Sequence, residues 1–329
     1  MTNMKNGSSF RASVILLAYN QAHTVIAAAK ALLAQEGEPL EIIFSDDKSS
    51  DDTYEKLLDV ASNYQGIHHV SVRQSEQNKG LMAHLKEAVA SSSCELIILA
   101  AGDDISTPNR AKLLLSAWGN AGEPHAVLCS DFTPIDSEGE IVPNFSEKIF
   151  SGRHTLEGLA SGRSHVIGAT TAITRSLFER FQPIADEVRY EDRVFPFRAL
   201  LLGGGIIFLP EKLVHYRIEG GISRNKAESG TDFLKRYTSE KNSRTIVDAI
   251  QRLKDAEEIG SSHEILRLCR KTICAQEAFI ALSKSGPLSY EMVLLSSLAK
   301  GSVKSIFRHY LKLRSGPLFD IYYRRRFSD

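Results

Sequence analysis

The chain has 329 residues, 43% of them hydrophobic and 24% charged, with 40 Lys and Arg balanced by 40 Asp and Glu. This composition suits a soluble globular protein of one large or two small domains, and its charge balance gives no global reason to bind nucleic acid. The start, MTNMKNGSSF, lacks an apolar signal core, and no run of 18 apolar residues exists, so a cytoplasmic protein is expected and any membrane contact is peripheral. The four cysteines, Cys94, Cys129, Cys269 and Cys274, lack metal-ligand spacing and read as buried thiols in a reducing compartment.

In chain order, ASVILLAY (12–19) is a near-continuous apolar run, suited to a strand covered on both faces. Residues 23–35 follow as a helix with Val25, Ala28, Ala29, Leu32 and Leu33 inward. LEIIFSDD returns to strand and ends in acids, and Ser50 or Asp51 caps the helix DTYEKLLDVASNY. IHHVSVR is a shorter strand. The helix LMAHLKEAVASSS turns Leu81, Leu85, Ala88 and Val89 inward. CELIILA is the fourth strand, PNRAKLLLSAW a helix with Pro108 in its first turn, and HAVLCSDF a further strand. Strands separated by helices predict an α/β fold around a mainly parallel sheet. Beyond residue 130, DFTPIDSEGEIV reads as strand, turn and strand, and VIGATTAITRSLFERF as a strand entering a helix. YEDRVFPFRALLLGG reads as a helix with an irregularity near Pro196, and GIIFLP and KLVHYRI as two short strands. From about 230 the chain becomes helical, with 3.6-residue patterns over 263–283 and 303–314. The second stripe is Val303, Ile306, Phe307, Tyr310 and Leu311, backed by Lys304, Arg308, His309 and Lys312.

Ligands of open α/β sheets bind beyond the carboxyl ends of the strands. Three polar groups fall there: Tyr19-Asn20, Asp46-Asp47 and Asp103-Asp104. Each alone is open to reading as a cap or solvated turn. Together they suggest a polar ligand fixed at several points, with Asp103-Asp104 suited to a hard ion such as Mg²⁺ or Mn²⁺. Such an ion neutralises a departing diphosphate. A Walker-type loop and a GxGxxG turn are both absent.

The stretches SVILLAYNQAHTV, EIIFSDDKSSDDT, QNKGLMAHLKEAV, LIILAAGDDISTPNRAKLL and YEDRVFPFRAL, in that order, resemble family 2 of the glycosyltransferases, which have the GT-A fold. The resemblance covers roughly residues 11–225. It implies a Rossmann-like, mainly parallel mixed sheet flanked by helices. It also implies a catalytic domain over 1–228, with a nucleotide-sugar half at about 11–130 and an acceptor half at about 131–228. A helical C-terminal region follows over 229–329.

By this resemblance Ala18, Tyr19 and Asn20 line the nucleotide pocket, Asp47 contacts the donor base, typically uracil, and Asp46 shapes the pocket beside it. Lys79 and Gly80 match a loop approaching the nucleotide. Asp104 matches a direct metal ligand, and Asp103 reaches the ribose or a metal-bound water. Arg110 either reaches phosphate or caps the site. Asp192 resembles the catalytic base and Glu191 its supporting neighbour, although a solvated helix start remains the alternative. Glu219 stands where the family often has His, open to ligating metal, contacting the donor or neither. Arg217 and Arg224 suit diphosphate, or pair with Glu219 or another acid. The small residues of HVIGATTAI either admit an acceptor or pack closely.

The implied reaction is inverting, metal-dependent transfer of sugar from a nucleotide-sugar, typically UDP-linked, with Mn²⁺ or Mg²⁺. The implied acceptor is a glycan or a polyprenyl-diphosphate-linked sugar, as in O-antigen or capsule assembly. Between Lys300 and Arg326 there are eight Lys or Arg against one acid, Asp320. This basic segment suits peripheral contact with the cytoplasmic face of an inner membrane, while its apolar stripe equally suits the core or a homo-oligomer. The rival readings are a non-catalytic sugar-nucleotide-binding or scaffold protein and a nucleotidyltransferase.

Overall fold

The run of apolar residues at 12–18 forms the strand β1 (Ala12–Ala18), buried on both faces because parallel neighbours flank it. The computed structural model describes residues 10–143, 145, 154–218, 230–284, 307, 310 and 311, with side chains of the last long segment described from 242. Glu219, Arg224 and most of the basic stripe at 300–326 lie outside the described residues.

After β1 come α1 (Val25–Leu33), β2 (Glu41–Asp46), α2 (Thr53–Ser62), β3 (His69–Gln74), α3 (Leu81–Ala90), β4 (Leu96–Ala101) and β5 (Ile105–Ser106). They continue with α4 (Arg110–Asn120), β6 (Ala126–Ile135), α5 (Leu156–Ala160), a 3-10 turn at Gly168–Thr170, β7 (Ala172–Thr174) and α6 (Ser176–Glu179). Last come α7 (Glu191–Leu201), β8 (Gly205–Arg217), α8 (Gly230–Glu258) and α9 (His263–Lys284). The sheet order is β3-β2-β1-β4-β7-β6-β8-β5. β1 pairs in parallel with both β2 and β4, so the chain leaves β1 toward one edge and returns on the other side of it. That reversal is a topological switch point, which opens a crevice beyond the carboxyl ends of β1 and β4. Beneath it, Val14, Leu16, Ile42, Phe44, Leu96, Ile98, Leu114 and Trp118 belong to one buried apolar cluster.

Some expectations need correction. Leu81 is 37% exposed, while Met82 and His84 are buried beside Leu85, Ala88 and Val89. Leu81 shares the face of Leu85 and Ala88 but stands at the very start of α3, at the rim of the buried stripe. Pro108 precedes α4 rather than sitting in its first turn. The two short strands expected after 204 are one strand, β8, whose register against β6 shifts around Asp131. Pro210, which has no N–H for the ladder, lies in the part of β8 skipped by that shift. The turn expected near Ser137-Glu138-Gly139 is present, with Asp136 N–H bonded to Glu140 O at 2.9 Å and a bridge between Ile135 and Ile141.

The chain divides into two compact units. The first comprises Met1–Thr155, Ser164–Asp186 and Glu191–Gly221, and the second Leu156–Arg163, Glu187–Tyr190 and Ile222–Asp329. Two short segments from the middle of the chain thus belong to the second unit. Within that unit α8 and α9 bury polar side chains as well as apolar ones. Gln251 Nε2 donates to Asp255 Oδ1 at 2.9 Å, Gln276 Nε2 to Thr245 Oγ1 at 2.9 Å, and the Arg189 N–H to Asp248 Oδ1 at 3.2 Å. Among the described residues, no helix is long and apolar enough to cross a membrane.

Candidate active site

Parallel register brings the first two polar groups together. Ala18 pairs with Asp46, and Leu17 with Ala101, so Tyr19-Asn20, Asp46-Asp47 and Gly102-Asp103 all leave the sheet on one edge of the crevice. Ala18 is buried and takes part through its carbonyl, which accepts the Asp47 N–H at 2.9 Å. Tyr19 is 47% exposed. Asn20 adopts φ +52°, the left-handed region that Asn tolerates better than most residues. Its Oδ1 accepts the Ser50 N–H at 2.8 Å, which binds the turn after β1 to the turn after β2.

The two acids after β2 divide their work. Asp46 is fully buried. Its carboxylate accepts from Ser49 N–H and Gln74 Nε2, each at 2.9 Å, and from the Ser49 hydroxyl. These bonds make Asp46 a post that shapes the loop. Asp47 places Oδ1 on the Lys79 N–H and Oδ2 on the Gly80 N–H, both at 2.9 Å. Each oxygen thus accepts one backbone hydrogen bond and keeps a second lone pair. Gly80, at φ +76° and ψ 167°, occupies a conformation that side chains resist, and this lets the loop reach Asp47 before α3 begins. Lys79 contributes its backbone here, because its ammonium pairs with Glu87.

Under this loop lies a polar relay absent from the sequence expectation. Arg73 Nη2 bonds Glu87 Oε2 at 2.8 Å, and Arg73 Nη1 donates to Ser45 Oγ, which also meets His84 Nε2 at 2.7 Å. The Lys79 ammonium, helped by Arg73 and Ser75, holds Glu87 down at about 2. Burial lowers His84, which favours its neutral form. The residue spacing gave no signal for Arg73 or His84. Both resemble ordinary strand and helix residues until β2, β3 and α3 are packed.

The acids after β4 are held differently. A methyl at Gly102 would sit 3.2 Å from Ala18 Cβ and press on the Gln21 side-chain amide, so the two turns approach closely here. Asp104 is 7% exposed, and its Oδ1 accepts the Arg217 N–H at 2.8 Å. Among the described residues, Oδ2 accepts no hydrogen bond. Burial pushes Asp104 up to about 7, and the adjacent Asp103 charge adds to the rise. Burial raises Asp103 as well, against a hydrogen bond from the Gln21 side chain and the Arg217 charge. Two adjacent, desolvated carboxylates with an open oxygen fit a hard divalent cation, whose charge would favour both ionised forms. Among the described residues, no group of three or more His, Cys, Asp or Glu is placed to hold a metal, so such an ion would take further oxygens from its ligand or water.

Of the arginines expected near phosphate, Arg217 and Arg110 are engaged with the fold, and Arg224 lies outside the described residues. Arg217 Nε donates to Asp103 O at 3.1 Å, and its Nη1 to Ser137 O at 2.6 Å and to Asp136 O. Its guanidinium thereby clamps the Asp103 turn to the turn after β6. Arg110 is 1% exposed and bonds to Ser106 Oγ at 2.9 Å, Leu99 O at 2.8 Å and Ala169 O at 3.0 Å. Of the two roles left open for Arg110, reaching phosphate is excluded by this burial. Glu191 and Asp192 open the first turn of α7, half-buried.

Comparison with known proteins decides the family. The profile described as Glycosyl transferase family 2 matches residues 13–181, just over half of the chain. The chain belongs to glycosyl transferase family 2. Family 2 membership thus covers the three strand ends, while Glu191 and Asp192 lie beyond the matched residues. A curated relative, the succinoglycan biosynthesis protein ExoO of Rhizobium meliloti, is 26% identical over 221 residues, 64% of this chain and 62% of that protein. The chain spans 58% of the length of its mycobacterial relatives. Staphylococcus aureus TarS 1-349 in complex with UDP superposes with a TM-score of 0.58 at 18% identity, covering 96% of this chain and 87% of that one. The mannosyltransferase PcManGT of Pyrobaculum calidifontis, solved with GDP-Man and Mn²⁺, gives 0.52 at 14% identity, covering 99% and 91%. These likenesses establish the GT-A fold expected from the sequence: a mixed, mostly parallel sheet flanked by helices, with a helical C-terminal part.

Proposed function

We propose that this family 2 chain is an inverting, metal-dependent glycosyltransferase that moves a sugar from a nucleotide-sugar to a glycan or lipid-linked acceptor in polysaccharide biosynthesis. The observation that carries this reading is the placement of the desolvated Asp103-Asp104 pair at the sheet's switch point, beside the Asp47-Lys79-Gly80 clamp. A UDP-sugar is the first donor to test, since TarS was solved with UDP and with UDP-GlcNAc. GDP-Man in PcManGT makes a guanine donor the second. The name of ExoO supports polysaccharide biosynthesis as the setting.

In this mechanism the turns after β1 and β2, with the Lys79-Gly80 backbone, bind and orient the nucleotide. Asp104 and Asp103 would hold Mn²⁺ or Mg²⁺, which supplies charge neutralisation for a diphosphate leaving group. Asp192 accepts the proton of the acceptor hydroxyl. The hydroxyl oxygen then bonds to the anomeric carbon as the bond from that carbon to the diphosphate oxygen breaks. The nucleoside diphosphate departs, and the configuration inverts. Glu191 supports and orients Asp192.

The test is donor-dependent transfer to an acceptor panel by the full chain. Asp192→Asn should lower the transfer rate by about 10²- to 10⁴-fold while UDP binding stays within about twofold of wild type. Binding of nucleotide-sugar without transfer or hydrolysis across the panel would support a sugar-nucleotide-binding protein instead. The lipid-linked acceptor has its own test: binding of the chain to vesicles of anionic lipid, weakened when the basic residues between 300 and 326 are neutralised.

A further inference from the structure

The acids of α7 are tied to the acids after β4 by a short segment, 166–171. Pro196 stands inside α7 and has no N–H to give the Asp192 carbonyl four residues before it. That carbonyl instead accepts the Val166 N–H at 3.3 Å. Two residues on, Gly168 faces the start of α7. A Cβ there would overlap the Glu191 carboxylate and lie 3.4 Å from Glu191 Cδ and 3.8 Å from Asp192 Cβ. Gly168 O accepts both the Thr171 N–H at 3.0 Å and the Thr171 hydroxyl at 2.7 Å, which closes the turn. Thr171 O then accepts the Leu99 N–H of β4 at 3.0 Å.

Arg110 fastens this turn to β4 and β5, the strands on either side of Asp103 and Asp104. It lies six residues after Asp104 and is buried in the same unit of the fold. One guanidinium nitrogen, Nη2, donates to Leu99 O at 2.8 Å and to Ala169 O at 3.0 Å, while Nη1 holds Ser106 Oγ at 2.9 Å. Burying an arginine this deeply is costly unless its planar fork is used, and here the two Nη atoms bridge β4, β5 and the 3-10 turn, while Nε has no partner among the described residues. We infer that Arg110 is a positioning residue that fixes Glu191 and Asp192 relative to Asp104, acting through the Gly168–Thr170 turn. The inference rests on the transferase reading for its catalytic meaning, whereas the mechanical tie stands on the geometry alone.

Two variants of the full chain test it, read by amide hydrogen exchange, thermal unfolding, UDP titration and sugar-transfer kinetics. Arg110→Lys keeps the charge and loses the fork. It should speed exchange by about tenfold at the amides of 166–171 while β1 and β2 keep wild-type rates. It should lower kcat by about 10²-fold, with the donor KM changed less than about threefold. Gly168→Ala displaces Glu191 and leaves the hydrogen bonds of Arg110 in place, so it should lower kcat at unchanged UDP affinity. Wild-type exchange over 166–171 in Arg110→Lys would overturn the tie. So would faster exchange spread evenly over all strands with a lower Tm, which marks a general stabilising role. Unchanged kcat in Gly168→Ala would overturn the seat for Glu191. If the wild-type chain transfers no sugar, the transferase reading fails, and the exchange pattern still decides the tie.

Discussion

Four aspartates in the crevice, Asp46, Asp47, Asp103 and Asp104, share one residue type and do separate work. Asp46 is held by Ser49 and Gln74, Asp47 clamps a backbone loop, and Asp104 keeps an oxygen open beside a second desolvated acid. Asp47→Ala removes the acceptors that hold the half-buried Lys79 and Gly80 N–H groups. With the 79–80 loop released, UDP binding should weaken by about tenfold or more in a calorimetric titration, at about 1.4 kcal/mol per tenfold. Gly80→Ala forces a side chain into φ +76° and should cost about 1 kcal/mol or more, read as a lower urea midpoint at unchanged slope. Positions were legible in the sequence, because acids ending apolar runs mark strand ends. Division of labour was not, because it depends on Ser49, Gln74 and the 79–80 backbone, which only the fold brings to those carboxylates. For Arg110 the sequence left two roles open, phosphate or a cap on the site, because its burial follows from the return of 166–171 across β4.

At the scale of elements, α3 carries a charge relay. Glu87 reaches from α3 to Arg73 on β3 and to Lys79 in the loop before α3. Its folded pKa of about 2 lies below the ordinary 4.5, so the carboxylate binds protons less readily in the folded state. The resulting stabilisation is present above about pH 4.5 and is lost as pH falls toward 2. Glu87→Gln removes that component, so its urea midpoint should fall less between pH 5 and pH 3 than that of wild type. An equal fall in the two proteins would count against the relay. Strands β1, β2 and β4 were readable because burial on both faces demands continuous apolar runs. The single strand β8 was read as two, because Pro210 looks like a terminator until β6 accommodates it through a shift of register. In α3 the helix itself was legible, but its first residue, Leu81, stands at the rim of the buried stripe, where the chain enters through the Gly80 turn.

At the scale of the molecule, alternation of strands and helices already implied the sheet, and the switch point at β1 explains why acids so distant in sequence share one crevice. The contribution of 156–163 and 187–190 to the second unit was not legible, since neither segment carries a composition change that marks a boundary. The central claim is a cation-assisted donor site at Asp103-Asp104. The most direct measurement is a hydrolysis and binding screen of the purified chain with UDP-, GDP-, dTDP- and CMP-sugars, each with Mn²⁺, Mg²⁺ or EDTA. Turnover of a UDP-sugar should be abolished by EDTA, restored by Mn²⁺ or Mg²⁺, and lowered by about 10²-fold or more in Asp104→Ala. Folded protein that neither binds nor turns over any donor, or that does so equally well in EDTA and as Asp104→Ala, would contradict the claim.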